Sequence, residues 1–174
     1  MTERLDFVQV GFANHPEWLE VKSVADEIVA YLEKPRIRER IRTVDVPGAS
    51  SSAIQSVILE RAESLGFRNE AKGLFKSYPN NGLRPDYFRK VGDSGILLEV
   101  ERGKTNINNM DFLDFWKCHI CEHAHYLFLM VPLNLVQNSS GRSSKPFETT
   151  VKHMSSFFSP SNYTNVRGLV LIGY

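Results

Sequence analysis

The segment Tyr126–Pro132, with the sequence YLFLMVP, is apolar at every position. A strand with one face in water alternates apolar and polar side chains, so an unbroken apolar run indicates a strand that is covered on both faces. Such a strand lies in the centre of a sheet with helices on either side. The run therefore predicts an α/β fold built around a central sheet.

The chain length favours one domain. With 174 residues, the protein can bury one substantial core but is short for two independent ones. We predict a single domain over residues 1–174, with a strand–helix extension at 1–48, a core at 49–132, and a loop, helix and strand at 133–174.

The extension carries two predicted elements. Leu5–Phe12 has the composition of a strand, and Pro16–Leu32 places its apolar residues at helical spacing. An arginine-rich run follows from Arg36 to Arg42 and ends at Pro47-Gly48, where a turn is expected.

The core begins with a helix, because Ser50 can cap it and Gly66 supplies a stop signal after a run with helical apolar spacing. Three strands are predicted next, at Gly66–Phe75, Leu83–Phe88 and Gly95–Val100. Their short connections favour an antiparallel meander.

A second core helix is predicted between the meander and the apolar run. Asn108 and Asp111 resemble a capping box, and an apolar stripe reaches His123, with members Met110, Leu113, Trp116 or Lys117, Ile120 and Ala124. A surface loop at Gln137–Lys145, a helix at Pro146–Phe158 and a strand at Val166–Ile172 complete the chain. The predicted core is thus a mixed sheet flanked by helices, in the order αβββαβ.

Three carboxylates fall on neighbouring predicted strands. Side chains alternate along a strand, so Glu99 and Glu101 share a face, and Asp86 can lie across from them. Clustered carboxylates repel one another unless a cation binds, and oxygen ligands favour Mg²⁺ or Mn²⁺. A surface alternative remains open, in which Glu99 and Glu101 lie on a solvated edge strand and pair with nearby cations: Arg84, Arg89, Arg102 or Lys104.

The order of these elements resembles the PD-(D/E)xK nuclease superfamily over Ser50–Pro132, about half of the chain. Within it, the pattern is similar to the BglII and BamHI type of restriction endonuclease, in which glutamine or glutamate replaces the usual lysine. Glu101 stands at that position here, so the motif is PD…ExE.

The resemblance implies a Mg²⁺-dependent type II restriction endonuclease, with Mn²⁺ as a substitute metal, that cuts double-stranded DNA as a homodimer. Asp86, Glu99 and the backbone carbonyl of Val100 would hold the metal. Glu101 would bind a metal or orient and deprotonate the attacking water. Lys104 could supply the missing ammonium, and Glu60 or Gln55 could add a further polar group from the first core helix.

Candidate DNA contacts come from local basic patches, because a net charge of +1 gives no overall preference for nucleic acid. Arg102, Lys104 and Asn106 lie just after the predicted strand that carries Glu99. Arg36 and Arg38 belong to the arginine-rich run, and Arg142 lies in the polar loop.

Several alternatives stay open. The segment Cys118–His125 has cysteines and histidines that invite a zinc site, but the favoured interpretation is that the cysteines pack in the core and the histidines flank it. A non-catalytic DNA-binding protein on a nuclease scaffold and a structure-specific repair or recombination nuclease are the other functional hypotheses. Closely spaced cysteines and the lack of a long apolar segment predict a cytoplasmic protein without a membrane span.

Overall fold

The computed structural model describes residues 2–69, 73–79, 81–103, 105–106, 109–136 and 141–174. Its helices are α1 (Pro16–Leu32), α2 (Pro35–Val44), α3 (Ser51–Ser64), α4 (Met110–Ile120) and α5 (Pro146–Ser155). Its strands are β1 (Glu3–Val8), β2 (Arg68–Asn69), β3 (Tyr87–Val91), β4 (Ser94–Val100), β5 (Tyr126–Val131), β6 (Leu135–Val136), β7 (Ser143–Ser144) and β8 (Gly168–Gly173). None of the helices in these ranges has the length and apolar character needed to cross a membrane.

The described strands form a six-stranded mixed sheet in the order β1-β8-β5-β4-β3-β2, beside a two-stranded hairpin of β6 and β7. Strands β4 and β8 flank β5 on either side and run parallel to it, whereas the other pairs are antiparallel. Every residue of β5 is buried, so the predicted central strand is confirmed. The carboxyl ends of β4, β5 and β8 therefore meet at one edge of the sheet.

Helices cover both faces of this sheet. The first face of β4, carrying Ile96, Leu98 and Val100, packs in a core shared with α1, α2 and α3. Leu97 points to the second face and packs in a core shared with α4 and α5. The predicted fold class, a mixed sheet flanked by helices, is confirmed. Glu99 shares the face of Leu97 because strand side chains alternate.

Two predicted helices are confirmed with little change. Helix α1 has the predicted bounds, and its buried residues follow the predicted apolar stripe. Ser50 precedes α3, and Gly66 after its end has a φ of +85°, a left-handed conformation that suits glycine.

Several strand predictions were too long. The first strand ends at Val8, and the chain continues as a short 3-10 helix at Val10–Phe12. The strand predicted at Gly66–Phe75 is reduced to Arg68–Asn69 among the described residues, and the next begins at Tyr87 rather than Leu83. Antiparallel pairing of β2, β3 and β4 nevertheless confirms the meander. The polar segment predicted as a loop at 137–145 contributes β7, and its residues 137–140 lie outside the described part.

The face of α4 that was predicted to be buried is the wrong one. Leu113, Trp116 and Ile120 are exposed, whereas the buried residues include Asp111, Asp114, Phe115, Lys117 and Cys118. The spacing of apolar residues was misleading because the inner face of the helix carries charged side chains, which can be buried since their opposite charges pair with one another. The helix begins after Asn109, and the predicted cap Asn108 lies outside the described residues.

Candidate active site

Asp86 and Glu99 are held together where β3 begins and β4 ends. The antiparallel register pairs Tyr87 with Leu98, so Asp86 falls opposite Glu99. The backbone N–H of Asp86 donates to Glu99 Oε2 at 3.1 Å, and the N–H of Val100 donates to Asp86 Oδ2 at 2.8 Å. The structure thus brings together these two predicted site residues at the carboxyl edge of the sheet.

Lys117 enters this site from helix α4. Its ammonium donates to Glu99 Oε1 at 3.0 Å and to Asp114 Oδ1 at 2.8 Å. All three side chains are buried, and Asp114 is completely inaccessible to solvent. Asp114 was not predicted to lie in the site, and Lys117 was predicted only as a possible member of the apolar stripe of this helix. The available signal was their i, i+3 spacing beside Phe115 and Cys118 on one helical face.

Glu101 lies one residue beyond β4. Its backbone N–H donates to the carbonyl of Met130 at 2.9 Å, and its carbonyl accepts a hydrogen bond from the Tyr174 hydroxyl at 2.6 Å. Its carboxyl lies close enough to Asp114 for a hydrogen bond when one of the two carries a proton. Glu101 therefore faces the same group of side chains as Glu99.

The first core helix contributes Gln55, whose side chain hydrogen-bonds Asp86. Glu60 is exposed on the same helix. Five residues correspond to a rotation of about 140° beyond a full turn, so Glu60 is on another side of α3 from Gln55. Of the two residues considered for this helix, the structure places Gln55 at the site.

Burial and mutual repulsion raise the pKa values of the carboxyls. Burial is the main cause at Asp86, and the Val100 N–H and Lys117 oppose it. Burial and then Asp114 raise the pKa of Glu99 well above its ordinary value. The same two causes raise the pKa of Glu101 to about 8, and burial raises that of Asp114 to about 6.

Lys117 remains a cation in this environment. Burial acts to lower its pKa, but the charges of Glu99 and Asp114 outweigh burial and raise it above the ordinary value. One ammonium faces four carboxyls, those of Asp86, Glu99, Glu101 and Asp114. When all four are ionised, the site has an excess of negative charge that one lysine does not neutralise.

The chemistry of this site fits a hard divalent cation. The atoms that could bind a metal are carboxylate oxygens, which hard cations prefer. One of them, Asp114 Oδ2, is buried and accepts no hydrogen bond from the described residues. In the described ranges, however, no three His, Cys, Asp or Glu side chains already converge as a metal site. The ammonium of Lys117 and the backbone N–H groups instead occupy oxygens of Glu99 and Asp86. Metal binding would therefore require these side chains to change partners.

The predicted contact of Arg102 with DNA stays a prediction, and in the structure this side chain is engaged inside the protein. Its guanidinium is buried, with Nε donating to Asp45 Oδ1 at 2.7 Å and the terminal nitrogens donating to the carbonyls of Val46 and Ala49. Arg102 instead fixes the segment between α2 and α3 to the end of β4. From the sequence, Arg102 seemed free to contact DNA because its acidic partner, Asp45, is 57 positions away.

The other predicted DNA contacts stay predictions. Asn106 donates through Nδ2 to Asp111 Oδ2 at 2.9 Å and to Thr150 Oγ1 at 3.0 Å, which fixes it near the start of α4. Lys104 lies outside the described residues. Arg36 is exposed and Arg38 half-buried on α2, and Arg142 is exposed before β7.

The Cys118–His125 segment divides among unrelated contacts. Cys118 and Cys121 are buried in the second core, as the core interpretation predicted. His119 Nδ1 lies 3.1 Å from Thr164 Oγ1, and His125 Nδ1 lies 2.8 Å from Ser94 Oγ. These contacts point the two histidines to different neighbours.

Comparison with known proteins gives a structural likeness and no sequence match. No protein-family model and no curated protein sequence matches the chain. Among solved structures, the crystal structure of the BglII restriction endonuclease in complex with a DNA 16-mer aligns with a TM-score of 0.51 and 11% sequence identity. The alignment covers 99% of this chain and 77% of the BglII chain. The chain therefore has a restriction-endonuclease-like fold.

Proposed function

We propose that this protein is a Mg²⁺-dependent endonuclease that hydrolyses phosphodiester bonds of double-stranded DNA, in the manner of a type II site-specific restriction endonuclease. The observation that carries the proposal is the buried Lys117 ammonium beside Glu99 and Asp114. It supplies, from a helix, the cation that is missing from the PD…ExE motif. The similarity of the fold to that of a DNA-bound restriction endonuclease supports the nucleic-acid substrate.

Each residue of the site has a role in this proposal. Asp86, Glu99, Glu101 and the backbone carbonyl of Val100 would hold Mg²⁺, with Mn²⁺ as a substitute. The metal ion would lower the pKa of a bound water and neutralise charge on the scissile phosphate. Gln55 and the Val100 N–H hold the Asp86 carboxylate in position.

Lys117 has two tasks. It neutralises part of the carboxylate charge, so a polyanionic backbone can approach, and its ammonium can donate to a phosphate oxygen or to the attacking water. Asp114 keeps that ammonium at the site through a 2.8 Å hydrogen bond. Glu101, whose pKa is raised to about 8, can accept the proton of the water only in its ionised form, which is favoured above pH 8 or when a nearby cation offsets the charge of Asp114.

We further propose that the active form is a homodimer, because two-fold symmetry lets one protein cut both strands of a symmetric site. Sedimentation of the protein with and without a DNA duplex measures this directly. A monomer that makes double-strand breaks in single-turnover conditions would contradict the dimer and leave the hydrolytic chemistry intact.

Cleavage of diverse unmethylated plasmid DNA tests the activity. Wild-type protein with Mg²⁺ or Mn²⁺ is expected to give discrete fragments, and EDTA is expected to stop the reaction. Asp86→Asn, Glu99→Gln and Lys117→Met are each expected to reduce the rate by roughly a hundredfold or more. Lys90→Met is the matched control, because Lys90 is an exposed lysine on the neighbouring strand.

The possible results separate the hypotheses. Discrete bands support site-specific cleavage, whereas a smear or cuts at junctions indicate a structure-specific nuclease. Binding without cleavage in either metal would reject the enzymatic function in favour of a non-catalytic DNA-binding protein. Full activity of Lys117→Met would reject the role of that lysine.

A further inference from the structure

A second feature lies at the same edge of the sheet as the candidate active site. Helix α2, the end of α1, Thr2 before β1 and Tyr174 after β8 line a cavity of about 270 Å³. Arg38, Arg42, Asp45 and Tyr174 supply its polar walls. Small-molecule pockets usually have roughly 300–1,000 Å³, so this cavity fits a phosphate group better than a complete nucleotide.

The two arginines have unused capacity to bind an anion. They stand at i and i+4 on α2, which places them on one face of the helix. Arg38 pairs with Glu33 through one terminal nitrogen, but its Nε is buried without an acceptor among the described residues. Arg42 has a 3.5 Å contact with Glu39 in which both side chains are more than two-thirds exposed, and such a pair stabilises little.

The acidic residues beside the cavity are already paired, since Glu33 pairs with Arg38 and also accepts from the backbone N–H of Thr2. Asp45 is the acidic residue of the lining, and its Oδ1 accepts from Arg102 Nε at 2.7 Å. Its negative charge is therefore already compensated from inside the protein. An anion entering the cavity would meet Arg38 and Arg42 without a free carboxylate from Asp45 to repel it.

The walls of the cavity are also attached to the active-site strand. The Tyr174 hydroxyl donates to the Glu101 carbonyl at 2.6 Å, and Arg102, the partner of Asp45, directly follows Glu101. Tyr174 follows β8, which lies two strand positions from β4, a separation of about 10 Å. The cavity is lined by residues of the first core, whereas Glu99 lies on the second face, so a nucleic-acid strand that contacts both places would cross this edge of the sheet.

We propose that this cavity binds one backbone phosphate of the nucleic-acid substrate, with the guanidinium groups of Arg38 and Arg42 as donors. The inference rests on the proposed function for the identity of the substrate. It adds a phosphate site outside the metal site that fixes the strand relative to Glu101. Contacts of this kind position the nucleic acid without reading its sequence.

The test is DNA binding as a function of salt, with a matched pair of double variants. Arg38→Ala/Arg42→Ala removes two charges at the cavity, and Arg40→Ala/Lys90→Ala removes two charges from exposed positions outside it. A fluorescent duplex is titrated by anisotropy with Ca²⁺ in place of Mg²⁺. Each lost phosphate contact reduces the slope of log K against log salt by about 0.9.

We expect the cavity variant to lose about one unit of slope and at least tenfold in affinity, and the control variant to lose clearly less. Arg42→Gln is a second variant that cannot disturb the core, because the Arg42 side chain is 75% exposed. It is expected to show the same direction of change. Equal slopes for the two double variants would overturn the phosphate site.

Failure of this inference and failure of the proposed function give different results. A wild-type protein that cuts DNA, with indistinguishable double variants, keeps the function and rejects the cavity. A wild-type protein that binds with a cavity-dependent slope but never cuts keeps the phosphate site and rejects the enzyme. A wild-type protein that does not bind the duplex rejects both.

Discussion

The ammonium of Lys117, on a helix, lies 3.0 Å from Oε1 of Glu99, on a strand, although the two residues are 18 positions apart in sequence. Both side chains are buried, and Asp114 accepts a second hydrogen bond from the same ammonium. This ion cluster makes the inner surface of α4 part of the candidate active site. It also links the stability of the protein to the chemistry of the site.

Removing the cation should destabilise the protein. Lys117→Met keeps most of the side-chain volume but leaves the buried carboxylates of Glu99 and Asp114 without their partner. Breaking a buried pair in this way costs roughly 3–5 kcal/mol. Urea unfolding at pH 8 measures the loss, and Lys90→Met should stay within about 0.5 kcal/mol of wild type. Equal stability of the two variants would show that the ion pairs of Lys117 with Glu99 and Asp114 do not contribute to the free energy of unfolding.

Glu101 should make stability fall as the pH rises. Its pKa in the folded protein is about 8, against 4.5 in the unfolded chain, because burial and then Asp114 oppose its ionisation. The folded state therefore holds more protons between these values, so the contribution is complete below about pH 4.5 and is lost as pH rises through 8.

The Glu101→Gln variant removes this titration. In EDTA, its unfolding free energy should fall less between pH 5 and 9 than that of wild type, by at least about 1 kcal/mol. Unfolding in urea across this range measures the difference. Parallel pH profiles would contradict the raised pKa of Glu101.

Divalent cations should stabilise the folded protein. Bound only by the native state, they raise stability by RT ln(1 + [L]/Kd), which is about 2.7 kcal/mol at a concentration of 100 Kd. We expect Mg²⁺, Mn²⁺ and Ca²⁺ each to raise the Tm, with a larger shift at pH 8 than at pH 5.5, where protons compete for the carboxylates. Asp86→Asn should abolish the shift. A shift that survives this substitution would place the cation elsewhere.

Arg102 should contribute to stability rather than to phosphate binding. Arg102→Ala leaves Asp45 without its 2.7 Å partner and removes the donors to two backbone carbonyls. A loss of roughly 3 kcal/mol is expected in urea unfolding. Arg40→Ala, at an exposed arginine, is the control and should change stability by less than about 0.5 kcal/mol. A variant of wild-type stability that weakens DNA binding would restore the sequence-based interpretation.

Sequence patterns correctly predicted the elements in which the same pattern of buried side chains continues from one end to the other. The all-apolar β5 and the one-sided helix α1 are of this kind, because burial alone determines their composition. Strands β2 and β3 were misplaced because their pairing partners, rather than local composition, decide where they begin. Asp86 and Glu99 were predicted together because a single antiparallel register relates them.

Lys117 and Asp114 were not predicted because their significance depends on a contact between distant elements. A lysine and an aspartate at i and i+3 normally indicate a solvated helix face, and the apolar residues Leu113, Trp116 and Ile120 offered a convincing alternative core face. Only the packing of α4 against Glu99 shows that the charged face is the inner one. Arg102 is the reverse case, because its sequence position suggested an exposed side chain that could contact DNA, whereas the side chain is buried.

Two neighbouring residues of α4 provide a direct test of this orientation. Phe115 is 1% exposed and stacks on Phe157 with ring centroids 4.1 Å apart, whereas Trp116 is 52% exposed. Phe115→Ala should cost roughly 3–5 kcal/mol, since it leaves a cavity in the second core. Trp116→Ala should cost less than about 1 kcal/mol, although it removes the larger side chain. Urea unfolding of the two variants decides between the faces. The opposite order would mean that the apolar stripe points inward, and that Lys117 does not reach the carboxylates.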